Sequence, residues 1–223
     1  MTDIIPGMIP QNLNIIREKL EMVKDLVKKV QIDLVDGKYA PPKTWPFNGD
    51  QYDQMVKMVR GEEKFPHIDD FLLEIDMLVL HPIEYLSDLL SIGARSFIIH
   101  IDSTDHVKEC LKTIKDAGCE AGLGIKPSVD SALLDPFLFQ ADFIQFMGND
   151  RVGYNGVELD SAVLSKIKNF HLAHSFVPIQ IDIGVNLETI PKLKAVGVSR
   201  FISGSAVFTA PDIKVALTKL QNA

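Results

Sequence analysis

Several features that assign proteins to familiar classes are scarce or missing in this sequence. Its 223 residues include two cysteines, Cys110 and Cys119, which are too few for a disulfide framework and indicate free thiols in a reducing compartment. The six histidines show no zinc-motif spacing such as HExxH. No run of about 18 apolar residues could span a membrane, and the N-terminus does not resemble a signal peptide. We therefore expect a cytoplasmic protein that contacts no membrane.

Basic residues are also in short supply. The chain carries 23 Lys and Arg residues against 30 Asp and Glu residues, so its formal net charge is −7. Because an acidic protein has no general attraction for phosphate backbones, nucleic acid is not an expected partner. An anionic ligand would need a local site made of backbone amides. The hydrophobic fraction of 46% excludes a disordered chain.

Short apolar segments rich in β-branched residues alternate with amphipathic helical segments along the whole chain. The first helix, from Asn12 to about Lys29, is followed by a strand over Val30–Val35. Eight strand–helix units in 223 residues predict a single α/β domain over residues 1–223, a (β/α)₈ TIM barrel. An open doubly wound sheet is the alternative, but no GxGxxG turn follows the first strand, where Gly7 precedes Met8.

Three predicted strands carry an aspartate among apolar residues. Asp33 lies in the second strand, Asp76 in the third and Asp182 in the seventh. A carboxylate inside an apolar strand is costly unless it is paired or bound to a metal. Each aspartate alone could cap a helix or accept from a loop amide. Their recurrence at one end of different strands favours a functional site, because barrel chemistry lies at the C-terminal ends of the strands.

Glycine-rich turns follow the last three strands. Gly153 and Gly156 flank Asn155 after strand six, Gly184 follows strand seven, and the pair Gly204–Ser205 follows strand eight and opens the last helix. The loops after strands seven and eight, together with a helix N-terminus, commonly bind phosphate in barrels. Ordinary turns would explain Gly153 and Gly156 alone, whereas Gly204–Ser205 is the more specific signal.

Seven segments, in chain order, match the motifs of one family. Gln31–Pro41 matches HxDxMDGxFVP, Glu74–Pro82 matches DxHLMxxxP, Phe97–Asp102 matches TxHxE, Gly122–Pro127 matches GxALNPxT, Met147–Gly156 matches MxVNPGFGGQ, Ile181–Asn186 matches VDGGV, and Gly204–Phe208 matches GSAIF. In this order and spacing the chain resembles the ribulose-phosphate 3-epimerases. The resemblance implies a ribulose-phosphate-binding type of barrel and an assembly of two or more copies.

The resemblance also implies a reaction on a small phosphorylated sugar. The family uses two aspartates, matched here by Asp33 and Asp182, to remove and return a proton beside the carbonyl of a ketopentose 5-phosphate through an enediolate. A divalent metal held by these aspartates and two histidines stabilises the enediolate. From the resemblance and the barrel geometry together we predict substrate or phosphate contacts from Gly7, Asp36, His100, Met147, Gly153, Asn155, Gly156, Gly184, Gly204 and Ser205.

Neither metal-binding histidine of the family is present. Gln31 and Asp76 stand at those positions, so that Gln31, Asp33, Asp76 and Asp182 form an all-oxygen set. Such a set suits Mg²⁺ or Mn²⁺ better than Zn²⁺ or Fe²⁺. If no metal binds, the three carboxylates repel one another and at least one pKa must rise. Lys38 would then be one candidate cation, although a solvated loop lysine is the simpler interpretation.

Three functions remain open from the sequence. The first is an epimerase or isomerase of a phosphorylated ketose. The second is a lyase or decarboxylase on the same barrel, although the DxKxxD pattern of such enzymes is absent because Val35 follows Asp33 where Lys is needed. The third is a homologue that binds a phosphorylated ligand without turnover, which the lost histidines favour.

Overall fold

Eight parallel strands close into a barrel in chain order, and each strand pairs with its sequence neighbours. The structure is a computed structural model that describes residues 2–223. The strands are β1 (Asp3–Met8), β2 (Lys29–Val35), β3 (Leu72–Leu78), β4 (Ser96–His100), β5 (Glu120–Ile125), β6 (Phe143–Met147), β7 (Ile179–Asp182) and β8 (Arg200–Ser203). Pairing of β1 with β8 closes the barrel. The predicted TIM barrel is confirmed, and the open-sheet alternative is wrong.

Helices connect the strands on the outside of the barrel. They are α1 (Leu13–Val23), α2 (Tyr52–Val59), α3 (Ile83–Ser91), α4 (Val107–Asp116), α5 (Ala162–Ala173), α6 (Ile190–Lys194), α7 (Ser205–Phe208) and α8 (Ile213–Gln221). The segment between β5 and β6, predicted as a helix, is a 3₁₀ helix over Ser131–Phe137. Pro136 lies inside it and lacks the amide hydrogen that an α-helix would need there.

The C-terminal end of the chain contains one more helix than we expected. Gly204–Ser205 does not open the last helix, because the one-turn helix α7 comes first and α8 begins only at Ile213. Asp212 caps α8 through a hydrogen bond of 2.9 Å from the Val215 amide to its carboxylate. The turn after β8 therefore ends in a short separate helix, the arrangement that TIM barrels use at a phosphate site.

Strand alternation separates an outer apolar shell from a polar barrel interior. In β2 and β3, Ile32, Leu34, Ile75 and Met77 are buried in the main hydrophobic core, which lies between the strands and the helices. The residues between them point into the barrel, because side chains alternate across a strand. Among residues 2–223, no helix is both long and apolar enough to cross a membrane.

An ion cluster fills the N-terminal end of the barrel interior. The Lys29 ammonium lies against the carboxylates of Glu74 and Glu120, and Arg200 donates to Glu120 at 2.7 Å. Ser96 donates to Glu74 at 2.7 Å. These residues come from β2, β3, β4, β5 and β8, so their contacts join strands that are not neighbours. The cluster closes the bottom of the barrel.

A layer of glutamines lies above the ion cluster. The Gln180 amide nitrogen lies 2.8 Å from a Glu74 oxygen, 2.7 Å from the Gln145 oxygen and 3.3 Å from the Gln31 oxygen, and these three acceptors share its two hydrogens. All four side chains are fully buried. These contacts tie together the side chains beneath the C-terminal mouth, although the Gln180 oxygen itself is buried without a hydrogen-bond partner among residues 2–223.

The chain leaves β7 in a strained conformation. Ile183 has a φ of +77°, in the left-handed region that disfavours residues with a β-branched side chain. Its side chain packs against an apolar group at the top of the barrel, which we call the upper apolar cluster and which consists of Val35, Ala40, Leu78, Met147 and Val152. Gly184 follows with a φ of +76°, and a Cβ there would lie 2.5 Å from the Leu159 amide nitrogen. The backbone therefore turns sharply directly after Asp182.

We predict that replacing Lys29 destabilises the fold, because the buried carboxylate of Glu74 loses its cation. Lys29→Met should lower the free energy of unfolding by about 3 kcal/mol, because Glu74 is then buried without a cation. The double variant Lys29→Met/Glu74→Gln should recover much of this loss. Chemical denaturation of both variants and of Glu74→Gln measures the coupling. Strictly additive losses would contradict the assigned ion pair.

We also predict that at position 183 a glycine variant is at least as stable as an alanine variant, the reverse of the usual order. In most positions alanine is more stable than glycine, but at a φ of +77° the alanine Cβ costs about 1–2 kcal/mol. Glycine avoids this cost, although its greater freedom in the unfolded chain offsets part of the gain. Ile183→Gly should therefore equal or exceed Ile183→Ala in unfolding free energy, measured by urea denaturation. The usual order would contradict strain at this residue.

Candidate active site

Three carboxylates meet inside the barrel just below its C-terminal mouth. Asp33 and Asp76 are directly paired in the register of β2 and β3, and Asp182 ends β7. One oxygen of each lies within 4.8 Å of the others. Asp33 and Asp76 are buried, and Asp182 is partly exposed. The structure therefore brings together the three aspartates that the strand pattern singled out.

Hydrogen-bond donors surround the carboxylates. Asp76 accepts from the amide of Gln145 at 2.9 Å and contacts Nε2 of His100 at 2.8 Å. Asp33 accepts from the amide of Gln31 at 2.9 Å. His100 Nδ1 is buried and has no hydrogen-bond partner in residues 2–223, so we assign the imidazole proton to Nε2, which donates to Asp76.

The electrostatics of the site favour protonated carboxyl groups in the absence of an ion. Burial raises the pKa of Asp33 well above its usual range, and repulsion from Asp182 and Asp76 adds to this effect. Burial, followed by repulsion from Asp76, raises the pKa of Asp182 to about 7. The predicted repulsion within the acidic group is therefore present. A pKa near neutrality suits a group that gives and takes protons.

A pocket joins these carboxylates to the glycine-rich turns. Asp33 and Asp182 lie in its wall together with Ile183 and Ile202. The predicted contact residues in the same wall are Gly7, Gly153, Asn155, Gly156, Gly184, Gly204 and Ser205. The turn after β8 lies close to β1, since a Cβ on Gly204 would lie 2.8 Å from the Gly7 carbonyl oxygen. The arrangement can hold an anion at the turns and present the adjoining atoms to both aspartates.

Other predicted residues occupy different environments. Asp36 accepts from the amides of Lys38, Tyr39 and Leu80 at 2.8–3.0 Å, so its carboxylate ties together the loops after β2 and β3. Lys38 itself is exposed, which agrees with a solvated loop lysine. The structure gives neither residue a place in the pocket wall.

Gln31, Met147 and His100 border the carboxylates without lining the pocket. The Gln31 amide nitrogen donates to Asp33, and its oxygen accepts from Gln180, so both polar atoms of the predicted fourth metal ligand are engaged. Met147 belongs to the upper apolar cluster. His100 packs so closely on β5 that a Cβ at Gly124 would lie 2.7 Å from its ring.

Sequence reasoning missed several polar residues of the site. Gln145 and Gln180 follow the alternation of β6 and β7, and that alternation could have identified them as interior residues. Tyr39, Asp102 and Lys126 lie in three different loops and contact one another at the mouth. No local pattern predicts that contact, because it depends on the order of the strands in the closed barrel.

Comparison with known proteins places this geometry in a family. The sequence profile of the Ribulose-phosphate 3 epimerase family matches residues 3–208. The chain is 25% identical over 209 residues to the ribulose-phosphate 3-epimerase of Bacillus subtilis (strain 168), covering 89% of this chain and 90% of the relative. It is 27% identical over 199 residues to the enzyme of the same name from Escherichia coli (strain K12), with coverage of 86% and 82%.

A solved structure supports the same type of barrel. The protein named KGPDC from Streptococcus mutans superimposes with a TM-score of 0.71 at 14% identity over 99% of this chain and 96% of that chain. At this identity the likeness concerns the fold alone. The profile match extends over nearly the whole chain, including Asp33, Asp76 and Asp182. The chain therefore belongs to the ribulose-phosphate 3-epimerase family.

Proposed function

We propose that the protein is an isomerase that epimerises a phosphorylated ketose of the ribulose 5-phosphate and xylulose 5-phosphate type. The observation that carries this proposal is the single pocket in which glycine-rich turns adjoin Asp33 and Asp182. Family membership supports the same reaction class, since the two relatives described above are named ribulose-phosphate 3-epimerase. The substrate phosphate is assigned to the amides at Gly184 and Gly204–Ser205.

The proposed reaction moves one proton at the carbon beside the carbonyl. Asp33 and Asp182 come from β2 and β7, on either side of the barrel axis, and both reach the pocket. One carboxylate removes the proton, and the electron pair of the broken C–H bond moves into an enediolate. The other carboxyl group delivers a proton to the opposite face and restores the carbonyl. A pKa of about 7 at Asp182 allows it to act in both directions.

The donor set fits a hard divalent cation. Asp33, Asp76 and Asp182 would hold it, because their oxygens lie within 4.8 Å of one another and offer no nitrogen or sulfur ligand. Such an ion would supply positive charge beside the enediolate oxygens. We propose Mg²⁺ or Mn²⁺ rather than Zn²⁺ or Fe²⁺. Gln31 contributes by fixing Asp33 through its hydrogen bond of 2.9 Å.

Proton exchange tests the reaction. In deuterated water with Mg²⁺ or Mn²⁺, the protein should introduce deuterium at C3 of D-ribulose 5-phosphate and form xylulose 5-phosphate, followed by NMR. Asp33→Asn and Asp182→Asn should each lower kcat by about 100-fold or more, because amides cannot exchange the proton. Asp116→Asn, an exposed change on α4, is the matched control.

Three results would contradict this proposal. Full activity in Asp33→Asn would remove the assigned role of that carboxylate. Absence of exchange with every metal tested, despite binding of a phosphosugar, would favour the homologue without turnover. Release of carbon dioxide or an aldehyde from a sugar acid phosphate would instead favour the lyase alternative.

The acidic group also predicts how divalent cations stabilise the protein as pH changes. An unfolded aspartate titrates near 3.8, whereas folding raises the pKa of Asp182 to about 7. The folded state therefore keeps a proton that the unfolded state releases, so the unfolding free energy falls as pH rises from about 4 to 7. A cation must displace that proton at low pH but not above pH 7.

Mg²⁺ or Mn²⁺ should consequently raise the melting temperature more at about pH 8 than at about pH 5. Differential scanning fluorimetry of the protein with and without each ion measures the shift. Asp76→Asn should lose the shift at both pH values, while Asp116→Asn should keep it. An equal shift at the two pH values, or one that survives in Asp76→Asn, would contradict binding at the three carboxylates.

A further inference from the structure

A second polar group lies at the mouth of the barrel, outside the pocket wall. We call it the distal cluster, and it consists of Tyr39, Asp102 and Lys126. The Tyr39 hydroxyl donates to Asp102 at 2.6 Å, and the Lys126 ammonium lies 2.8 Å from the other oxygen of Asp102. The same ammonium stands 4.4 Å from the centre of the Tyr39 ring. Each member therefore contacts the other two.

The distal cluster faces the phosphate turns across the barrel. Asp102 follows β4 and Lys126 follows β5, whereas Gly7 lies in β1 and Gly204–Ser205 follow β8. In a closed barrel with strand order β1 to β8, the β4–β5 side is opposite the β8–β1 side. Asp33 and Asp182 lie between the two. A ligand whose phosphate is held at the turns and whose chain passes both aspartates would extend toward the distal cluster.

Contacts link the distal cluster to the acidic group below it. The Tyr39 ring lies 5.2 Å from the His100 ring, and His100 donates to Asp76 at 2.8 Å. Tyr39 also packs against the upper apolar cluster. Through Tyr39 and His100, the distal cluster therefore lies two side-chain contacts away from Asp76.

The backbone at Lys126 is held by a lysine of helix α5. The ammonium of Lys166 on α5 donates to the carbonyl oxygens of Lys126 at 2.9 Å and Pro127 at 3.0 Å, and also to that of Val129. These bonds fix the backbone of the loop after β5. The side chain of Lys126 remains 19% exposed. An ammonium has three donor hydrogens, and Asp102 needs only one of them.

We propose that Lys126, with Tyr39, forms the subsite for the sugar end remote from the phosphate, and that Lys126 determines specificity for a chain long enough to reach it. This inference rests on the proposed function and names the ligand class more closely: a phosphorylated polyhydroxy chain with an oxygen at the far end. Lys126 donates to that oxygen while Asp102 keeps its ammonium oriented. Short phosphate esters occupy only the turns and do not contact it.

Two ligands of different length test the inference. Ribitol 5-phosphate has the full chain but no carbonyl, so it binds without reacting, and inorganic phosphate occupies the turns alone. Lys126→Met should weaken ribitol 5-phosphate binding by about 10-fold or more, the effect of losing a charged hydrogen bond, and leave phosphate binding unchanged. Lys126→Arg should recover part of the affinity. Lys112→Met, on the exposed face of α4, should change neither. Titration calorimetry measures all four proteins.

Each contrary result has a distinct meaning. Unchanged binding of ribitol 5-phosphate to Lys126→Met would overturn the subsite while leaving the proposed function intact. Weaker binding of both ligands by the same factor would show that Lys126 only holds the loops, which also overturns it. A wild-type protein that binds neither ligand would overturn the proposed function and the subsite together.

Discussion

Mutual repulsion of three closely spaced carboxylates, two of them buried, is the constraint around which the barrel interior is arranged. Asp33, Asp76 and Asp182 lie within 4.8 Å of one another, in surroundings where water cannot screen them well. Such a group persists only if donors, protons or a cation compensate its charge. Gln31 and Gln145 supply amide donors, and His100 supplies an imidazole donor. Protonation is favoured where donors are too few, which agrees with the raised pKa values of Asp33 and Asp182.

Hydrogen bonds and an ion pair connect the three carboxylates to the polar residues below them in the barrel. Gln180 has one amide group that contacts Gln31, Gln145 and Glu74 at once, so a change at any of these side chains affects the others. Glu74 in turn is held by Lys29 at the bottom of the barrel. A polar column therefore runs from the ion cluster to the three aspartates. Buried polar networks of this kind contribute to a defined geometry more than to stability.

The sequence predicts a residue's position well where that position depends on a single strand or a single turn. Alternation in β2 and β3 identified Asp33 and Asp76 as interior residues, and Gly204–Ser205 marked the turn after β8. It was less informative for contacts between distant loops. The distal cluster requires loops after β2, β4 and β5 to meet, which only the closed barrel determines. For Asp36 a motif position suggests a ligand contact, and the structure adds that its carboxylate ties together the loops after β2 and β3.

His100 is the one histidine that contacts the acidic group in the described residues, and it does so as a hydrogen-bond donor. His100 reaches the acidic group from β4, but its Nε2 faces Asp76, while its Nδ1 lies against the β5 backbone, 2.9 Å from where a Cβ of Gly124 would be. Nε2 carries the proton that it donates, and the lone pair of Nδ1 is on the β5 side, so neither nitrogen offers a lone pair to a cation among the three carboxylates. An imidazole that donates a proton to a carboxylate orients that carboxylate. His100 therefore orients Asp76, and a cation held by the three carboxylates would be coordinated by oxygen atoms alone.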